Sequence, residues 1–259
     1  MGFEDIRCFL LDMDGTFYLG DRIIEGSLEF IDRVLATGRD YLFMTNNSSH
    51  NAEFYVQRLR RMGLETDRRH VLTSGEATCE QLKALYPGKR AYVMGNEFLL
   101  SEFREAGIPV DFERPEMVVI GFDTTLTYQK LWDVCDLVRG GAPYIATHPD
   151  FNCPTETGFM PDIGAMIAFI EASTGRRPDL IVGKPNTGIV DAVKRRTGLG
   201  VHQLAMVGDR LYTDIETGLQ SGMLSILVMS GETTEDMLAR SATVPDLTFG
   251  CLRDMIPLL

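Results

Sequence analysis

Asp12-Met13-Asp14-Gly15-Thr16 sets two carboxylates two residues apart, directly after the apolar run Arg7-Cys8-Phe9-Leu10-Leu11. A turn at glycine need not preserve strand alternation, so the two acids can point differently and take different jobs. One can attack phosphorus while the other handles protons. A carboxylate is a competent in-line nucleophile toward a phosphoryl group, and a covalent intermediate splits one difficult hydrolysis into two easier displacements. Enzymes accelerate phosphate-monoester hydrolysis by up to about 10²¹-fold, so such a site also needs a cation and hydrogen-bond donors around the non-bridging oxygens. At ordinary residue usage, two Asp, a Gly and a Thr in this arrangement arise by chance in about one chain of this length in several hundred.

Other segments supply the remaining parts. Gly208-Asp209-Arg210-Leu211-Tyr212-Thr213-Asp214 offers carboxylates that, with Asp12, can hold Mg²⁺ through oxygen ligands, Asp209 being the candidate ligand. Gly183-Lys184-Pro185 puts an ammonium in a turn, where it can serve as a point charge for phosphate. In Thr45-Asn46-Asn47, the Thr45 hydroxyl and the Asn46 peptide N–H can donate to a phosphoryl oxygen. Singly these are ordinary, since an Asp at a turn is usually a cap and a lone Lys is usually solvated. Their order and their placement after apolar runs join them.

Those runs predict the elements that position the chemistry. The first reads as a buried strand, followed by an amphipathic stretch carrying Leu28, Ile31, Val34 and Leu35, a stop at Gly38, and a second strand at Tyr41-Leu42-Phe43-Met44. That is a β-α-β unit. The pattern returns with Leu204-Ala205-Met206-Val207 before Gly208-Asp209, and Leu224 to Val228 after a helical interval. Short strands alternating with helices imply an α/β fold with a mainly parallel sheet, which binds ligands at its carboxyl ends. Between them, residues 79–178 have strands of their own at Met117–Ile120 and Tyr144–Ala146. They also have two amphipathic helices, one carrying Leu131, Val134, Cys135 and Val138, the other Ile163, Met166, Ile167 and Ile170. The chain is therefore expected to divide into 1–78 with 179–259, and an inserted 79–178.

Composition narrows the classes. With 259 residues, 44% hydrophobic and 24% charged, the usage is that of an ordinary soluble globular protein. A net charge of -12 argues against a broad surface for nucleic acid or anionic lipid. No apolar run approaches the roughly 20 residues that span a bilayer, and the first residues lack a basic start and an apolar signal core, so a cytoplasmic location is expected. Five scattered cysteines without a C-x-x-C pair read as small buried hydrophobes.

The four motifs, Asp12-Met13-Asp14-Gly15-Thr16, Thr45-Asn46-Asn47, Gly183-Lys184-Pro185 and Gly208-Asp209 with Asp214, stand in the order of the haloacid dehalogenase superfamily. Over essentially its whole length the chain resembles the NagD-type branch, which includes p-nitrophenylphosphatases and phosphoglycolate phosphatases. The resemblance implies a Rossmann-like core with an inserted α/β cap, and Mg²⁺-dependent hydrolysis of a small phosphate monoester. Asp12 is then nucleophile and metal ligand, and Asp14 is the acid/base that lends its backbone carbonyl to Mg²⁺. Thr45, Asn46 and Lys184 bind the phosphoryl group, Asp209 completes the metal site, and Asp214 orients Lys184 or a metal-bound water from behind. The branch also allows a homo-oligomer built through the cap. The run Ala146-Thr147-His148-Pro149-Asp150, continuing to Pro161-Asp162-Ile163-Gly164, resembles the cap loop facing the active site. Asn is usual there where His148 stands, and Gly where Asp162 stands. His148, Asp150 and Asn152 each read equally well as a substrate contact or a structural hydrogen bond. Arg58, Arg60, Arg61, Arg68 and Arg69 read as a solvated helix face.

Competing chemistries fit less well. No cysteine has the Arg six residues later that a thiolate phosphatase needs, and Gly183-Lys184-Pro185 lacks the surroundings of a P-loop. A haloalkanoate dehalogenase would not need Asp14 or a metal. A phospho-acceptor that keeps its phosphate is disfavoured by a base at Asp14, which would speed the loss. A phosphomutase on the same core remains the alternative.

Overall fold

The structure, a computed structural model, describes residues 2–155 and 157–259. In chain order the elements are β1 (Cys8–Leu11), the hairpin β2 (Tyr18–Leu19) and β3 (Arg22–Ile23), α1 (Ser27–Ala36), β4 (Asp40–Thr45), α2 (Ala52–Arg61), β5 (Val71–Thr73) and α3 (Ser74–Leu85). Next come β6 (Ala91–Met94), α4 (Glu97–Glu105), β7 (Met117–Ile120), α5 (Tyr128–Arg139), β8 (Tyr144–Ala146), the hairpin β9 (Asn152–Thr155) and β10 (Gly158–Pro161), α6 (Ile163–Thr174), β11 (Leu180–Ile181) and α7 (Thr187–Thr197). The chain closes with β12 (Leu204–Gly208), α8 (Glu216–Ser221), β13 (Leu224–Val228), α9 (Glu235–Arg240) and β14 (Leu247–Phe249). Helices alternate with parallel strands, as the apolar runs predict.

Two compact units result. The first takes residues 1–45, 52–72 and 193–259, and the second takes 46–51 and 73–192. These limits differ from the 78/79 and 178/179 expected from the sequence. Helix α3 goes with the second unit, where Gln81 Nε2 donates to the Gly188 carbonyl at 3.0 Å, and the later limit falls inside α7.

The sheet of the first unit runs β14-β13-β12-β1-β4-β5. All four residues of β1 are buried, so it shows no alternation and is covered on both faces. Helix α1 buries Phe30, Ile31 and Val34 at helical spacing, and the ring of Phe9 meets that of Phe30 edge-on at 5.4 Å. Each such ring or aliphatic chain contributes about 1.5–3 kcal/mol on burial. Register does the positioning. Leu11 lies opposite both Val207 and Phe43, which brings Asp12, Asp209 and Thr45 to one end of three neighbouring strands.

The second unit has its own parallel sheet, β11-β8-β7-β6, and the separate β9–β10 hairpin. Its core includes Tyr92, Val118, Ile120, Val134, Tyr144 and Ile170. Thr127 caps α5 by accepting from the Lys130 N–H, and Asp162 caps α6 by accepting from Ile163. The hairpin occupies the run likened to a cap loop, and its Glu156 lies outside the described residues. Cys8, Cys79 and Cys135 are buried, while Cys153 and Cys251 keep partial exposure. Among the described residues no helix is long and apolar enough to cross a membrane.

Candidate active site

In the first unit the chain leaves β1 with the Asp12 N–H donating to the Val207 carbonyl at 2.9 Å, then turns through Gly15 at φ +86°. The Gly15 N–H closes this turn on the Tyr18 carbonyl at 2.7 Å. A side chain at Gly15 would meet the Asp209 carboxylate, and so would one at Gly231. The glycine of the first motif thus gives room to an acid 194 positions later, 209 − 15.

Asp209 is almost fully buried. Its two oxygens accept from the Thr16 hydroxyl at 3.2 Å and the Glu232 N–H at 2.7 Å. Burial, then the carboxylates of Asp12 and Asp214, push it up to about 7, against the pull of the Glu232 N–H and of Arg210. Oxygens of Asp12, Asp209 and Asp214 lie within 4.8 Å of one another. Such a set of hard donors fits a divalent cation, which would relieve the mutual repulsion. Asp214, read from the sequence as orienting Lys184 or a metal-bound water from behind the ligands, has a carboxylate oxygen within this same cluster. Gly208 makes this arrangement available, since a Cβ there would overlap the Asp214 side chain. The Arg210 N–H also holds Asp214 Oδ2 at 3.1 Å.

Asp14 keeps its carboxyl outside that cluster. Though it retains exposed surface, the protein packed on one side and then the Asp12 carboxylate raise it above the ordinary range, with Arg58 and Arg210 pulling down. Arg58 departs from the solvated-face expectation: it donates to the Gly20 carbonyl at 2.8 Å and stacks 4.6 Å from the Tyr18 ring. Arg210 went unnoticed in the sequence. Burial opposes its charge, but Asp12, then Tyr212 and Glu232, raise it overall, and Glu232 pairs with it at 3.0 Å. Its position directly after Asp209 was the only local signal. Thr45 ends β4 with its side chain buried.

In the second unit, Asn46 and Lys184 are joined. Asn46 Oδ1 accepts from the Lys184 N–H at 2.8 Å, and Asn46 Nδ2 donates to the Lys184 carbonyl at 2.9 Å. The same Nδ2 donates to both Asp150 oxygens at 3.2 Å. Gly183 is constrained too, since a Cβ there would sit 2.7 Å from Asn46 Oδ1 and from the Thr147 carbonyl.

The two departures at His148 and Asp162 are one pair. His148 Nε2 meets Asp162 Oδ1 at 3.1 Å, with the ring wholly buried. Because that oxygen accepts, Nε2 carries the hydrogen, and Nδ1 faces the Thr147 hydroxyl at 3.0 Å. A glycine at 162 would leave the buried Nε2–H without its acceptor, whereas Asp162 keeps the Ile163 N–H whichever residue stands at 148. His148 thus makes the structural hydrogen bond that was one of its two readings. His148, Asp150 and Asp162 also lie close enough for a cation, and their side chains are hydrogen-bonded to Asn46, Thr147, the Ile163 N–H and one another.

Comparison with known proteins agrees with this geometry. A family model described as haloacid dehalogenase-like hydrolase matches residues 9–109, and a second, HAD-hydrolase-like, matches 181–255. The chain is 36% identical over 254 residues to the acid sugar phosphatase of Staphylococcus aureus (strain MRSA252), covering 98% of each. It is 47% identical to the 4-nitrophenylphosphatase of Thermotoga maritima, whose crystal structure matches with a TM-score of 0.96 over 98% of this chain and 97% of that one. NagD from E. coli K-12 is 29% identical, with a TM-score of 0.90 and 98% of each chain covered. With relatives of this identity along its whole length and two family models covering its motifs, the chain belongs to the haloacid dehalogenase-like hydrolases, on their NagD-type phosphatase branch.

Proposed function

We propose that this phosphatase hydrolyses a small phosphate monoester with Mg²⁺, through a phosphoryl group carried on Asp12. The observation that supports it most is the Asp12, Asp209 and Asp214 cluster beside a raised Asp14. In the first step an Asp12 oxygen bonds to phosphorus as the bond to the ester oxygen breaks. Asp14, whose surroundings raise it above the ordinary carboxylate range, gives its proton to the departing oxygen. In the second step the Asp14 carboxylate takes a proton from water, whose oxygen attacks the same phosphorus. The bond to Asp12 breaks, and inorganic phosphate leaves.

Asp12, Asp209 and Asp214 supply carboxylates for the cation, with the Asp14 backbone carbonyl as the ligand that the family resemblance adds. Bound there, Mg²⁺ contributes positive charge against the phosphoryl oxygens. Thr45, the Asn46 N–H and Lys184 are proposed to bind those oxygens. The names of the S. aureus and T. maritima relatives make sugar phosphates and 4-nitrophenyl phosphate the esters to test first.

The experiment is steady-state release of inorganic phosphate from 4-nitrophenyl phosphate and a panel of sugar phosphates with Mg²⁺, comparing wild type with Asp12→Asn. Many turnovers in the wild type and a loss of at least about 10³-fold in the variant are expected, because an amide is a poor nucleophile. Release limited to one equivalent would instead indicate a phospho-acceptor. A variant retaining a tenth of wild-type kcat would exclude Asp12 as nucleophile.

A further inference from the structure

Asn46 and Lys184 are 138 positions apart, yet one carboxamide holds both polar groups of one peptide residue. Each contact has a single sense. The Lys184 N–H can only donate, so it must face Oδ1; the Lys184 carbonyl and the Asp150 carboxylate oxygens accept, so both must face Nδ2. A flipped amide would set donor against donor once and acceptor against acceptor three times. Asp150 thus fixes which way the Asn46 amide is turned, and the amide fixes the Lys184 backbone.

The clamp is itself anchored. Asn46 is 6% exposed and Lys184 2%, so an unmade bond there is not replaced by bulk water. The Asn46 carbonyl accepts from the Ser74 hydroxyl at the start of α3, and the Asp150 carbonyl accepts from the Gly164 N–H at 2.7 Å at the start of α6. The Gly183 N–H donates to the Thr147 carbonyl at 2.7 Å, and no side chain fits at 183 without displacing Asn46.

We infer that Asn46 is a positioning residue whose side chain, oriented by Asp150, holds the Lys184 backbone and so sets where the Lys184 ammonium can reach. This rests on the proposal that Lys184 binds the phosphoryl group. The role differs from donation by the Asn46 peptide N–H, which any residue at 46 would retain. A lysine side chain has ample rotamer freedom of its own, so its charge is placed well only from a fixed backbone. Misplacement by about 1 Å can cost 10²-fold in rate.

A double-mutant cycle tests it, with amide hydrogen exchange as a readout independent of catalysis. Asn46→Ala should lower kcat/KM by about 10- to 10²-fold in the wild-type background, but by less than about 3-fold in Lys184→Met, where there is no ammonium left to place. In the same variant the Lys184 N–H should lose its exchange protection, while amides of β7 and β8 keep theirs. If Asn46→Ala does not fold, Asn46→Asp carries the test, since it is isosteric but lacks both Nδ2 donors. Equal losses in the two backgrounds, or an unchanged Lys184 exchange rate, would overturn the positioning role while leaving Lys184 as a phosphoryl ligand. Lys184→Met with wild-type kcat/KM would overturn the phosphoryl-binding assignment and the positioning role with it.

Discussion

At the scale of single residues, two acids two positions apart differ in what surrounds them. Asp14 sits beside Asp12 with its carboxyl crowded on one side, which favours its neutral form; Asp12 joins Asp209 and Asp214. Separate environments allow one to attack while the other carries a proton. Asp14→Asn keeps the backbone carbonyl and removes only the proton transfers, so hydrolysis should slow by about 10²- to 10⁴-fold. The first step should suffer more with a sugar phosphate than with 4-nitrophenyl phosphate, whose leaving oxygen needs little protonation. Burst kinetics with trapped phospho-enzyme would be the signature for the nitrophenyl ester. Equal losses for both esters in single-turnover phosphorylation, with no phospho-enzyme, would reduce Asp14 to a turn residue. These acids were legible because they follow a buried strand within five residues. Arg210 and Glu232, 22 positions apart, carry no local pattern that ties them together.

At the scale of elements, glycines let distant segments share space. Gly208 ends β12 where a Cβ would overlap Asp214, on a wide turn in which the Ile215 N–H reaches the Arg210 carbonyl at 3.2 Å. Gly208→Ala should displace Asp214 and raise the Mg²⁺ concentration for half-maximal activity by about 10-fold or more, on the scale of lost supporting contacts in metal sites. A Mg²⁺ titration checks this, and an unchanged midpoint would remove Asp214 from the cation site. Strands of four or five apolar residues, such as β1, β7, β12 and β13, stood out in the sequence. The two-residue β11, the three-residue β5 and the exposed β9–β10 hairpin did not, because so few residues show no periodicity and the hairpin buries little. The pairing of His148 with Asp162 was hidden for another reason. Each departure looked separate until the turn after β8 and the start of α6 were brought together.

At the scale of the whole molecule, the buried acid cluster ties stability to pH and to metal. Asp209 is raised to about 7 from an ordinary carboxylate value near 4, so the folded state prefers its protonated form. The stability this gives the metal-free protein is fully present below about pH 4 and is lost as pH rises through about 7. A divalent cation offsets the same repulsion without a proton, so the gain in Tm on adding Mg²⁺ should be larger at pH 8 than at pH 5.5. Thermal melts of metal-free and Mg²⁺-loaded protein at both pH values decide this, equal gains counting against the site. Asp209→Asn should melt higher than wild type at pH 8 without metal, and gain little from Mg²⁺. The central pair of the six-stranded sheet has a different consequence. Cys8 lies beside Leu204, so β1 emerges from the ribosome 196 residues, 204 − 8, before one of its two neighbours exists. At about 5–20 residues per second, synthesis leaves that flank of β1 open for about 10–40 s. Its other flank can already be covered by β4, which follows about 30 residues later. During that interval Asp12 is already translated while Asp209 and Asp214 are not, so a nascent chain carries the first acid of the cluster well before the other two.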